Sequence, residues 1–412
     1  MEILPDLEVV DIDKEVKDKF DEIKVAKLRM EKGETVEFWD SDQLGVEPAR
    51  RCQKCRQCAD KGECSDTHVI HTLKEEAELR VIEENIKLVN GKVKVKYPFK
   101  KDPASCFKDN RREVTMIAGR IWKQLKRDGL LDAYHCEMKK FIDRGTFVEL
   151  TEQEMKEYAG PINYITHHGV LKDSASTPLR IVTNSAKKNG LYSINDLLPK
   201  GPNSLNDMLA VMVRFRNYDY VFVFDLAKAY NTMETTIVER HLRRFVWRWE
   251  EDGPWLVFGI DKVHFGDRSA ATQLEVSKRL VAKAGKHIDE VAAEKLIKDG
   301  YVDDILTGGT EEDVARMVGV KQSDGSYNGT MARILKLGNF VAKEYLVEGD
   351  MSQADNNLLN NKLFGYGYDC KMGKLQLRIS LNLSKKKKNV RTEPDLKVSD
   401  LDDLRSKTMT KR

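Results

Sequence analysis

The stretch KLIKDGYVDDILTGGT, residues 295–310, sets two adjacent aspartates, Asp303 and Asp304, between short apolar runs. An isolated acidic doublet says little. Asp favours turns for backbone reasons, and 67 acidic residues in a chain of 412 give roughly 11 such pairs by chance. The doublet gains meaning from a distant partner. In YDYVFVFDLAKAY the apolar run ends on Asp225, and a carboxylate at the end of a buried strand is costly unless a cation pairs with it. A hairpin tip carrying Asp303 and Asp304 beside that strand would gather three acidic groups at one sheet edge. Mg²⁺ takes such hard oxygen donors together with substrate phosphates. Two ions about 3.5–4 Å apart activate an attacking hydroxyl and neutralise a leaving pyrophosphate, and phosphoryl transfer asks little more of a protein than positioning and charge.

A second cluster offers different chemistry. RRCQKCRQCADKGEC places Cys52, Cys55, Cys58 and Cys64 at C-x2-C-x2-C-x5-C spacing, with His68 and His71 close behind. Four soft ligands in one short segment could wrap a tetrahedral Zn²⁺. Unliganded reduced thiols and an iron–sulfur cluster are the other readings, the latter lacking a following Cys-Pro. Seven cysteines in all, an odd number, fit reduced thiols or a metal site better than a disulfide framework. Cys106, Cys136 and Cys370 are expected to be inert buried thiols.

Positioning the three aspartates requires a sheet. YDYVFVFD is apolar on both faces, as a strand in the middle of a sheet must be. Before it, Leu205, Met208, Leu209, Met212 and Val213 recur with helical spacing. A helical stretch from about 270 to 298 leads into the acidic hairpin, and TEEDVARMV restarts a helix behind Thr310, with Asp313 in the capping-box position. Upstream, residues 73–86 read as a helix, and VNGKVKVKYPF as a hairpin on Asn90-Gly91. Residues 111–143 read as helical, with Met116, Ile117, Ile121, Trp122, Leu125, Leu130 and Leu131 on apolar faces. Residues 160–200 read as short strands and turns. In RRFVWRW a strand would put Trp247 and Trp249 on one face, as a core edge or a base-stacking platform. Strands mixed with segregated helices give an α+β class.

The composition, 33% charged and 41% hydrophobic, suits a soluble globular protein of two or three compact units. A net charge of +3 does not announce nucleic acid, although a local groove matters more than the total. The acidic start lacks the pattern of a signal peptide, and no run reaches the roughly 18 apolar residues of a membrane span. An intracellular protein with no membrane partner is expected, cytoplasmic or nuclear. SKKKK, residues 384–388, could touch a nucleic-acid backbone through charge.

FVFDLAKAY resembles the first palm motif of reverse transcriptases, and YVDD is similar to their second aspartate-bearing motif, a hairpin with Tyr-x-Asp-Asp at its tip. Between them VHFGDRSAATQLEVSKR resembles the nucleotide-positioning motif that begins with Phe-Gly. The likeness points to the Pao (BEL) class of long-terminal-repeat retrotransposons over roughly residues 36 to 390. FWDSDQLGVEPARRCQKCRQC is similar to the segment preceding their polymerase, LRIVTNSAKKNGLYSINDLLPKGPNSLNDMLAVMVRFR to their fingers, and ILKLGNFVAKEYLVEGD to their lysine-bearing palm motif.

The resemblance implies a right-hand polymerase with fingers and palm, an RNA-directed DNA polymerase using Mg²⁺ or Mn²⁺. Its partners would be an RNA or DNA template-primer, deoxynucleoside triphosphates and other parts of a Pol polyprotein, and virus-like particles would be one location. Asp225, Asp303 and Asp304 would bind the metals, Tyr230 would crowd the sugar 2′ position, and Lys172 and Arg180 would grip the triphosphate. Phe265 and Gly266 would shape the nucleotide pocket, and Lys343 would protonate the leaving pyrophosphate. The implied organisation is a lead-in over 1–50, the cysteine cluster over 51–72, a helical extension and fingers over 73–218, a palm over 219–350, and the palm's end with a basic tail over 351–412. The chain stops before a thumb, ribonuclease H or integrase and reads as a fragment. Asn184, His264 and Ala271 depart from the family pattern, which usually has Asp, Pro and Pro there. A polymerase-derived nucleic-acid-binding protein without activity, and a zinc-dependent interaction module, are the alternative functions.

Overall fold

The computed structural model describes residues 73–171 and 179–347, with backbone strands at Arg50–Arg51, Ile70–His71, Lys362–Leu363, Tyr366–Asp369 and Lys374–Leu377. Cys52, Cys55, Cys58, Cys64, His68, Lys172, Cys370 and the lysine run at 385–388 lie outside the described residues. The chain divides into two compact units between Tyr345 and Leu346. In the second, three short strands form an antiparallel meander in chain order. The first unit is α+β, with helices set around small, mostly antiparallel sheets.

Tyr220–Asp225 is the central strand of the sheet that matters for the site, with four buried residues between an exposed Tyr220 and a partly buried Asp225. It pairs antiparallel with Asp304–Gly309 over the whole run, from Asp304 opposite Asp225 to Gly309 opposite Tyr220. On its other edge Asp304–Gly309 pairs with Gly300–Tyr301. Valine and phenylalanine suit a pleated surface covered on both sides. Phe222 and Val223 are fully buried, and each such side chain contributes roughly 1.5–3 kcal/mol over leaving it exposed. Gly308 is required by packing, because a Cβ there would lie 2.1 Å from the Tyr220 carbonyl oxygen.

Helices Met208–Arg216 and Glu311–Val318 pack against the returning strand. The capping box at Thr310 and Asp313 is formed as the sequence predicts. The apolar spacing of Met208, Leu209 and Val213 marks the wrong face of its helix: Leu209 is 70% exposed, whereas Val211 and Phe215 are buried. Both sets have helical spacing, and contact with the sheet decides between them. A similar displacement occurs in Arg111–Arg127, where Met116 is exposed and Val114, Ala118, Trp122 and Leu125 form the buried stripe.

A second region stands on the strand pair Thr166–Leu171 and Leu179–Asn184. Leu131–Asp143 packs against the latter. A three-stranded sheet of Phe245–Trp247, Leu256–Ile260 and Phe147–Glu149 lies nearby in contact order. Trp247 is fully buried against Tyr134, His135 and His167, so it is core and offers no base-stacking surface. Cys106 is only partly buried and Cys136 is exposed, contrary to the expectation of buried thiols. No helix among the described residues is long and apolar enough to cross a membrane.

Candidate active site

Two acids meet because of strand register. Asp225, the last residue of the central strand, stands directly opposite Asp304, the first of the returning strand. Asp303 lies in the link before it, and its carbonyl accepts a hydrogen bond from the Leu226 N–H at 2.8 Å, which fastens the hairpin tip to the end of the central strand. Val302 in the same link has φ +56°. That left-handed conformation is unfavourable for a β-branched residue and stores about 1–3 kcal/mol of strain beside the acids.

Residues 341–343 close the other side. Ala227 N–H donates to the Val341 carbonyl and Lys343 N–H to the Asp225 carbonyl, each at 2.8 Å. This places Lys343 so that its Nζ pairs with Asp225 Oδ2. Asp225 Oδ1 is buried and has no hydrogen-bond partner. Among the described residues no three acidic, His or Cys side chains converge tightly enough to form a preformed metal cage.

The electrostatics record the crowding. Burial lifts the Asp225 carboxyl above its ordinary range; the ion pair with Lys343 opposes this and the charge of Asp303 adds to it. Asp304 is pushed up to about 7, first by burial and then by Asp303 and Asp225, with Lys343 and Lys278 pulling the other way. Like charges gathered at one edge resist ionisation until a cation joins them.

Tyr230 and Phe265 form the adjoining surface. Their rings lie 4.7 Å apart and tilted by 56°, and Phe265 is half-exposed. Burial raises the Tyr230 phenol, with Asp303 and Glu275 adding to the shift. Gly266 has φ +100°, and a Cβ there would lie 3.1 Å from the Thr183 carbonyl, so glycine is needed for conformation and for space. Asn195 Nδ2 donates to the Gly266 carbonyl at 2.8 Å. His264 shares a 3.0 Å hydrogen bond with Thr183 Oγ1, which ties this loop to the Leu179–Asn184 strand. Asn184 accepts from Ala186 N–H at 3.1 Å, and Ala271 lies in the first turn of Ala270–Ala284. Arg180 is exposed, opposite Val170 in its strand pair, and the described contacts do not join it to the aspartates.

Two supporting arrangements escape sequence reasoning. Arg243 is buried beneath the Phe265–Gly266 loop. Its Nη1 donates to Asp267 Oδ2 at 2.8 Å, to Tyr97 Oη at 2.9 Å and to the Lys262 carbonyl at 2.9 Å. Its Nη2 donates to Thr235 Oγ1 at 2.8 Å and to the Ile260 carbonyl at 3.0 Å. Asp267 Oδ1 accepts from Ser185 Oγ at 2.5 Å, and Asp267 Oδ2 also accepts from Tyr97. The second arrangement is the buried pair Lys278 and Glu275, 2.8 Å apart on Ala270–Ala284, although both atoms lack well-aligned hydrogen bonds. In sequence, Arg243 looks like a surface cation and the Glu-Lys pair like a solvated helix face.

No family model and no curated protein matches the chain. Solved structures similar to it include a foamy viral protease-reverse transcriptase in complex with double-stranded DNA, at 14% identity and TM-score 0.34, covering 49% of this chain and 28% of that one. The native prototype foamy virus protease-reverse transcriptase is similar at 14% identity and TM-score 0.31, covering 50% of this chain and 22% of that one. Its CSH mutant is similar at 13% identity and TM-score 0.32, with 50% and 22% covered. The chain thus spans less than a third of the length of each.

Proposed function

We propose that the chain is the fingers and palm of a reverse transcriptase from a Pao/BEL-class retrotransposon, adding deoxynucleotides to a primer on an RNA or DNA template. The observation that carries this reading is the register that sets Asp304 opposite Asp225, with the Asp303 carbonyl bonded to Leu226. The residues fit a hard divalent cation by donor type and by the unpartnered Asp225 Oδ1. Asp225, Asp303 and Asp304 would hold Mg²⁺ or Mn²⁺, which when bound supplies charge neutralisation for the phosphates.

The chain's own groups have definite tasks. Lys343, already paired with Asp225, would protonate the leaving pyrophosphate. Tyr230 packs on Phe265 and would exclude a ribose 2′-hydroxyl. Gly266 lets the nucleotide pocket run close to backbone, and Lys172 and Arg180 would meet the triphosphate. Catalysis comes from positioning and charge, without a covalent intermediate.

Primer extension on RNA and DNA templates with Mg²⁺ or Mn²⁺ tests this. Wild type should incorporate deoxynucleotides, and Asp303→Asn should lose about 10²–10³-fold of the rate while retaining template-primer binding. Equal, negligible incorporation by both proteins with binding intact would identify a polymerase-derived binding protein instead.

A zinc site at Cys52, Cys55, Cys58 and Cys64 is a second element of the proposal. It is favoured by the antiparallel pairing of Arg50–Arg51 with Ile70–His71, which brings together the chain on either side of the cysteines. The full chain should bind about one zinc ion per molecule. A Cys52→Ser, Cys55→Ser variant with unchanged zinc content rejects it.

A further inference from the structure

The hairpin of Ile86–Val89 and Lys92–Val95 turns on Asn90 and Gly91, both at positive φ. Val93 and Val95 point inward, and Lys87, Lys92 and Lys94 stand on the exposed side. Lys87 is directly opposite Lys94. The Lys94–Val95 segment pairs in parallel with Glu234–Thr235, setting Glu234 beside Lys94, and Glu234 bridges in turn to Lys262. Lys87, Lys94, Glu234 and Lys262 therefore form one row across the sheet, at strand spacings of about 4.8 Å.

Glu234 serves three of these lysines. Glu234 accepts from Lys92 at 3.0 Å and from Lys262 at 2.8 Å, and it pairs with Lys94 at 2.5 Å. Burial works to raise its carboxyl, yet hydrogen bonds from Lys262, Lys94 and Lys92 hold it at about 2. Four lysines less one glutamate leave +3 on the face, as much as the formal charge of the entire 412-residue chain. Like charges directly opposite on a sheet are destabilising, so this concentration calls for an anionic partner. Two members of the row lie close in sequence to the candidate nucleotide pocket: Glu234 follows Tyr230 and Lys262 precedes Phe265.

We propose that the lysines of this row, Lys87, Lys94 and Lys262, together with Lys92 on the same face, bind the phosphate backbone of a nucleic acid beside the Tyr230–Phe265 surface. The inference rests on the polymerase reading and deepens it by naming residues that would hold the nucleic-acid backbone; binding measured without incorporation can fail or succeed independently of that reading.

The test is equilibrium binding of the full chain to a fluorescent DNA duplex and an RNA–DNA hybrid in EDTA over a range of salt. Removing Lys87, Lys92 and Lys94 together by alanine should weaken binding about 10–100-fold at low salt and reduce the slope of log K against log salt by about 2–3. Glu234→Gln should tighten binding several-fold. A control lacking Lys126, Lys286 and Lys298, exposed or partly exposed and ion-paired elsewhere, should do neither. Wild type that does not bind, or a triple variant with unchanged slope, overturns the proposal. With vesicles of anionic lipid as a parallel probe, a triple variant that keeps its nucleic-acid binding and loses only vesicle binding also overturns it. Because nucleotide incorporation is not measured, an inactive protein that binds through this row still supports it.

Discussion

Arg243→Ala should lower the unfolding free energy by about 3–5 kcal/mol. The Arg243 and Asp267 side chains are 1% and 0% exposed, so neither charge can recover its lost partner from water. The guanidinium joins five distant points: Tyr97 just after the Lys92–Val95 strand, Thr235 after the Tyr230 turn, the Ile260 and Lys262 carbonyls, and Asp267 in the loop that follows Gly266. Removing it takes a donor from each of them and leaves the buried Asp267 carboxylate with only the Ser185 and Tyr97 hydroxyls as side-chain partners. Arg243→Met with Asp267→Leu should recover part of the loss, since apolar residues of similar volume often replace a buried ion pair at little cost. Urea unfolding of the wild type, the two single variants and the double variant gives the coupling directly. A loss below about 1 kcal/mol for Arg243→Ala, or no coupling in the cycle, would show that the network is incidental to stability.

How far the sequence discloses this molecule depends on the kind of information each feature needs. The hairpin at Asn90-Gly91 is legible because its turn requires two residues tolerant of positive φ, a local demand. The Tyr220–Asp225 strand is legible because four consecutive apolar residues leave no solvent face. Proximity of Asp225 to the doublet follows from that strand and hairpin, but the exact partner does not. Pairing of Asp304, rather than Asp303, with Asp225 is fixed by the link at Val302 and Asp303, whose geometry no residue pattern encodes. The helix Met208–Arg216 misleads because apolar residues occupy most of its circumference, so only packing selects Val211 and Phe215. Arg243 is invisible for a related reason: burial of a long cation is decided by partners contributed from residues as far away as Tyr97 and Asp267. The approach of the doublet to Asp225 can thus be read from the chain, while the network supporting the neighbouring loop cannot.

On the proposed function, Asp304→Asn should do two opposite things: lower nucleotide incorporation by about 10²–10³-fold or more and make the metal-free protein more stable at neutral and alkaline pH. The second effect follows from the sign of the shift at Asp304. Its folded carboxyl is held at about 7, above the ordinary 3.8, so the folded state binds the proton more tightly than the unfolded chain. That contribution to stability is fully present below about 3.8 and is lost as pH rises through about 7. Wild type in EDTA should therefore weaken across that window, whereas Asp304→Asn, with no proton to lose there, should show a shallower decline. The residual slope belongs to Asp225, whose carboxyl is also raised. Mg²⁺ should reverse the ranking, because an ion held only by the folded state stabilises it by about 2.7 kcal/mol at a hundred times its dissociation constant. Melting of both proteins in EDTA and in Mg²⁺ from pH 4 to 8 separates these effects. Equal pH slopes in EDTA would refute the electrostatic account of the acidic edge. Equal stabilisation by Mg²⁺ in wild type and variant would place the ion away from Asp304, and with it the chemistry.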